Sequence, residues 1–425
     1  SRLVGRPVAR GQLTDARSGR FPALRHAAFR RYMLGQTISL SGFWMQSVAQ
    51  GWLVWRLSGS PWALGVVASL GSLPTALLSP LAGVLADRLD RRRVILATQT
   101  AAMVLAALVG ALVLLDWVTV PVVAVAAVCL GVVGAIDLPA RQAFLVELVG
   151  TRDLPGAIAL NAAIFNAARV VGPAVAGVVV ATVGEGPCFL LNAVSYGAVL
   201  WALVSMEIPA RAVPSYTTSA REGLRSGMAY VRAQPTLWAL LVALGVVSGL
   251  GLQFVVVMPA VAERAFGAGP QGYGLLLAAY GTGAAVSALQ LAARPAALAA
   301  QAAIMRVGLG LFGLGLFVVA GSPWLWVAVA AQFVAGLGMV RFTATTNGLL
   351  QRLVDGAYRG RVMGLHTTMF LGTGPLGSLV LGGVAARYGP RAALLVSACV
   401  PGLVALWLTP RLRVFSQASR PASQN

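Results

Sequence analysis

Along this chain apolar residues come in runs of about twenty, broken by short clusters of Arg, Asp, Gly and Pro. A helix rises about 1.5 Å per residue, so a run of about 20 covers a hydrocarbon layer roughly 30 Å thick. Twelve such runs are readable, at 32–57, 62–86, 93–115, 119–141, 155–182, 186–206, 236–262, 271–292, 302–321, 323–346, 361–385 and 391–409. The thinnest division is "GSP" at 321–323, and the longest polar connection is 207–235. The pattern predicts an all-α polytopic membrane protein with 12 transmembrane helices in two six-helix bundles, 29–206 and 236–410. A linker at 207–235 joins them, and tails at 1–28 and 411–425 flank them.

Composition narrows the class further. The chain is 58% hydrophobic and 10% charged, whereas soluble domains carry about 25% charged residues. The net charge is +20 and every basic residue is Arg. A nucleic-acid partner is excluded, because the Arg residues lie between apolar runs instead of on a folded polar face. With both termini placed in the cytoplasm, 26 Arg fall on the inner side. Only Arg56, Arg264, Arg387 and Arg391 fall outside, so the positive-inside rule fixes this orientation. Six Trp (52, 55, 62, 117, 324 and 326) then sit at the outer interface, where amphipathic rings prefer to lie. Residues 1–28 read as a basic cytoplasmic tail without a cleavable signal peptide. Cys129, Cys188 and Cys399 lie in apolar runs without metal-ligand spacing, so neither a metal nor a cofactor is expected.

Polar side chains inside apolar runs mark candidate binding positions, since each is costly against lipid. The first span carries Gln36, Ser39, Ser41, Gln46, Ser47 and Gln50, of which Gln36, Ser39, Ser47 and Gln50 fall at spacings compatible with one helical face. The fifth adds Asn161, Asn166 and Arg169, the seventh Gln253, and the tenth Gln332 and Arg341. Arg169 falls near mid-membrane, where a charge costs at least about 2.5–3.5 kcal/mol on insertion scales. It reads either as an anion-attracting group or as a structural Arg bonded to helix carbonyls. His366 in the eleventh span is a titratable group within the core. No Walker-type phosphate loop and no paired nucleophile and base appear, so neither an ATP-driven pump nor an enzyme is expected.

The halves echo one another. "VGPAVAG" at 171–177 has a counterpart in "TGPLGS" at 373–378, and "ELVGTRDLPGAIAL" parallels "RLVDGAYRGRVMGL". A parallel repeat of six-helix halves is the layout of one transporter architecture. Gly83, Leu85, Asp87, Arg88, Arg91 and Arg92, in "GVLADRLDRRRV", resemble the loop signature between spans two and three of the major facilitator superfamily. Asp90 stands where that signature has Gly. "DLPARQAFLVELVG…VGPAVAG" and "LLQRLVDGAYRGRVMGL…YGPR" resemble the exporter branch containing enterobactin exporters and macrolide-efflux proteins.

The resemblance implies a monomeric secondary exporter of the bacterial inner membrane. It would move a small amphiphilic, neutral or anionic molecule by alternating access, with protons as co-substrate. The alternatives are a macrolide or multidrug pump and a lysophospholipid flippase. It also implies a cytoplasmic gate from Gly83, Asp87, Arg88 and Arg91, with Asp137 as the acid ending span four. Gly172 and Pro173 form the bent segment of span five. Proton coupling falls to Asp137 or His366, or the substrate's own charge drives exchange.

Overall fold

The computed structural model describes the backbone of residues 22–206, 220–293 and 297–417, and side chains there apart from 79–88, 220–224, 298–299 and 412–417. Among the described residues it is helical, with no strand. In the first half run α1 (Ala27–Ser58), α2 (Pro61–Arg88), α3 (Arg91–Leu114), α4 (Val120–Val183) and α5 (Gly186–Val204). A short amphipathic helix follows, α6 (Ala220–Arg232). The second half holds α7 (Pro235–Val246), α8 (Phe254–Phe266), α9 (Gly269–Ala293), α10 (Leu298–Gly321) and α11 (Leu325–Leu353), then α12 (Arg359–Gly372), α13 (Gly374–Tyr388) and α14 (Pro390–Gln417). Ten helical segments among the described residues are long and apolar enough to cross a membrane. The 32-residue α1 is not one of them, because its polar face lowers its hydropathy.

Local chemistry explains the breaks. Gly59 and Gly267 adopt left-handed φ of 58° and 59° and close the ends of α1 and α8; such C-terminal positions favour glycine. Proline opens α2, α7 and α14, where its missing N–H costs no helical bond. Asp90 sits at φ −61° and accepts from the Arg93 N–H at 3.1 Å, so it is the N-cap of α3. The backbone there never enters the left-handed region, which is why the superfamily's usual Gly is dispensable.

The sequence suggests spans at 119–141 and 155–182, and α4 is two helices that meet at a break between them, at Gly150, where φ is 73° and ψ 173°. A π turn at Val247–Gly251 divides α7 from α8, and α12 gives way to α13 at Thr373.

The halves meet through glycine. An ideal Cβ on Gly274 of α9 would lie 2.6 Å from the Pro173 carbonyl of α4, and one on Gly65 of α2 would lie 2.6 Å from the Ser378 carbonyl of α13. These approaches admit no side chain, which suits a medium where close packing, not water exclusion, joins helices. At the same end Arg264 donates to the Gly59 carbonyl at 2.9 Å and stacks over Trp55. At the opposite end α6 docks on the start of α12: Tyr230 donates to Asp355 at 3.0 Å and stacks on Tyr358.

Candidate functional site

The buried ionic centre of the first half is Asp137 on α4. Thr98 Oγ1 and Gln99 Nε2 of α3 donate to its Oδ1 at 2.6 and 3.0 Å, and the Arg141 guanidinium lies 2.5 Å from Oδ2. Residues four apart share a helix face, so the pair is intrinsic to "DLPAR". A cavity of about 320 Å³ reaches this pair, with Gln46, Ser47, Gln50, Thr75 and Tyr196 on its walls. Ser47 also lines two further cavities, of about 200 and 40 Å³, that extend along α1 toward α8 and α9. Two hydrogen bonds and an ion pair hold the carboxylate at the wall of this cavity.

Among the described residues Arg91, 7% exposed, pairs with Glu147 at 2.6 Å. Asp137 lies ten residues earlier on α4 and is engaged with Arg141. Glu147 stands three residues before the break at Gly150. Gly83, Asp87 and Arg88 belong to the helical end of α2, but their side chains lie outside the described residues.

Arg169 faces the contact between halves. Its guanidinium lies 5.6 Å from the Trp44 ring centroid of α1 and 4.7 Å from that of Tyr280 on α9. Among the described residues no carboxylate forms a salt bridge with it. Two desolvated cation–π contacts at about 2 kcal/mol each match its insertion cost of about 2.5–3.5 kcal/mol. The third cavity lies against Trp44, Ser47, Arg169, Pro173, Tyr273 and Tyr280.

The other expected positions scatter. Gln36 and Ser39 are buried, and Gln46 accepts from Asn192 Nδ2 at 2.6 Å, so of the α1 face Gln46, Ser47 and Gln50 reach a cavity. Asn166 donates to the Ala162 carbonyl of its own helix, and Asn161 is half-buried one turn further along. Gln253 bridges α13 and the π turn, accepting from Ser378 and donating to the Ser248 carbonyl. Gln332 is buried with its amide against Met258 Sδ at 3.5 Å. Arg341 donates to Gln290 at 2.7 Å, which ties α11 to α9. Buried Gly172 packs against Trp44 and Met45 of α1. His366 stacks near Phe370 with a buried Nε2 that has no hydrogen-bond partner. Tyr280 is one of the polar residues the sequence places inside a span, the eighth; Arg141, Glu147 and Trp44 were not singled out, although the four-residue spacing of Asp137 and Arg141 was there to be read.

A helical membrane protein with polar cavities along one helix, closed by glycine contacts between its halves, is a membrane transporter in architecture. The chain belongs to the family described as transmembrane secretion effector, whose model matches residues 18–424; this is an exporter branch of the major facilitator superfamily. It is 30% identical over 396 residues to the multidrug efflux pump Tap of Mycobacterium tuberculosis, covering 88% of this chain and 92% of that one. It is 28% identical over 409 residues to the enterobactin exporter EntS of Shigella flexneri, covering 92% and 94%. Its fold matches that of a bacterial homologue of the human lysosomal transporter Spinster, in an inward-facing conformation. That match has a TM-score of 0.71 at 14% identity and covers 95% of this chain and 100% of the other. The protein is thus a multi-pass transporter of the bacterial inner membrane.

Proposed function

We propose that the protein is a proton-coupled exporter of a small amphiphilic, neutral or anionic molecule, siderophore-like or drug-like. In this reading the chain crosses the membrane twelve times, α4 and α7–α8 included, with both termini cytoplasmic. Residues 29–206 and 236–410 form two bundles that rock about the glycine contacts, and 207–235 tethers them. The observation that carries the reading is the row of cavities joined at Ser47, which runs from Asp137 and Arg141 to Arg169.

Each part has a physical role. The polar row offers a path where lipid would reject polar cargo. Arg169, balanced by rings instead of an acid, favours neutral or anionic cargo over cations. Proton uptake at Asp137 would weaken its hold on Arg141 and change the charge of the cavity wall. Relatives named for multidrug efflux and enterobactin export support a drug-like or siderophore-like cargo.

The test is export from cells. Deleting the gene should raise intracellular retention of at least one compound in a panel of macrolides, siderophores and lysolipids. Unchanged retention across the panel overturns the reading.

A further inference from the structure

Two donors beside Arg169 are buried with nothing to accept from them: the Tyr280 hydroxyl and the Trp44 indole N–H. Tyr280 is 2% exposed, on the second half; Trp44 is on the first. A ring face attracts the guanidinium, and the Tyr280 hydroxyl oxygen can take one of its five N–H donors, which leaves the others and the hydroxyl proton to be accepted. Three donor groups therefore converge on the small cavity at the junction of the halves. Buried donors normally find acceptors, and each exception calls for an explanation.

The position adds a second argument. On α4, Gly177 and Pro173 are buried where α9 presses against them, and the Arg169 carbonyl lies under Gly281. Further along the same face, spaced by helical periodicity, Asn166 is half-buried, Ala162 is exposed and Ile158 is 53% exposed. The halves thus part just beyond Arg169, which stands at the apex of the opening.

We infer that Arg169, the Tyr280 hydroxyl and the Trp44 N–H form a receptor for one oxyanion, of carboxylate or phosphate type, carried by the transported molecule. It is built across both halves, so separating α4 from α9 removes the Tyr280 donor and dismantles it. Release on the far side follows from that geometry. The inference rests on the export reading and narrows its substrate to amphiphiles with one exposed oxyanion.

The test uses the full-length protein in lipid nanodiscs and two isosteric probes, 2-naphthoate and the neutral 2-naphthamide, titrated by calorimetry. Wild type is expected to prefer naphthoate by at least about tenfold, as one to two charge-assisted hydrogen bonds imply. Arg169→Gln should abolish the preference, Arg169→Lys should keep part of it, and Tyr280→Phe should reduce it severalfold. Naphthamide affinity should hold in all three. A purely structural Arg169 would weaken both probes equally, and that result overturns the receptor. Equal affinity of wild type for the two probes also overturns it, even where Arg169→Gln does not fold. Competition then identifies the source: displacement by lysophosphatidylglycerol but not by inorganic phosphate assigns a lipid-borne oxyanion, and displacement by neither assigns a carboxylate metabolite. Anion preference without cellular export would sink the export reading alone; export without anion preference would sink the receptor alone.

Discussion

Asp137 and Arg141 form an ion pair of 2.5 Å on one face of α4, inside the first half and one turn apart. Both are largely removed from water, with side-chain exposures of 9% and 21%. Removing one partner of such a pair leaves the other uncompensated, at about 3–5 kcal/mol, whereas replacing both is often neutral. Asp137→Asn should therefore lower the thermal midpoint of purified protein clearly, and Asp137→Asn with Arg141→Gln should recover most of the loss. A double variant less stable than either single one would contradict the pairing.

The Arg91–Glu147 pair should behave as a separate unit. Glu147→Gln removes one anionic partner of a buried guanidinium and is expected to lower the thermal midpoint of the purified protein. The exchange Arg91→Glu with Glu147→Arg should restore part of that loss. Thermal unfolding of the two single variants and the swap measures the coupling directly. A coupling energy near zero would refute the contact.

Gly382 of α13 sits against Gly65 of α2, where an added Cβ would lie 2.8 Å from the Gly65 Cα. Gly382→Val should block closure at that end while leaving each half folded. Transport should fall by at least about tenfold, since over-packing costs typically 1–3 kcal/mol. A cysteine at Ser47, in a cysteine-free background, should become more reactive to an impermeant thiol reagent from outside. Unchanged labelling would mean that this glycine contact does not hold the halves together.

Asp90 acts as a helix cap. Asp90→Ala should cost about 1 kcal/mol and Asp90→Gly only a few tenths. If glycine stabilised the protein instead, the position would be a left-handed turn and the cap assignment would fail. Thermal midpoints of the two variants separate these outcomes.

Most of the helical layout was legible because lipid imposes one rule, about twenty apolar residues per crossing. The separation of the spans at 119–141 and 155–182 was legible because "ELVGTRDLPG" reads as punctuation, and α4 breaks within it at Gly150. Polar residues in spans were easy to find, but composition does not say which way a side chain turns. Arg341 looked like a cavity cation and is bonded to Gln290. Gln36 looked like cavity lining and is buried. The partners of Arg169 were illegible for another reason. Trp44 and Tyr280 come from opposite halves, 236 positions apart in sequence, and a contact between residues so far apart leaves no local pattern.

The central claim is that Asp137 carries the proton that drives export. The direct test is cargo movement in proteoliposomes under an imposed proton gradient, comparing wild type with the Asp137→Asn, Arg141→Gln double variant, whose fold the ion-pair argument expects to survive. The account predicts gradient-driven accumulation in wild type and only downhill exchange in the double variant. Equal gradient-driven accumulation in both would remove Asp137 from the coupling path and leave it a structural counter-ion to Arg141.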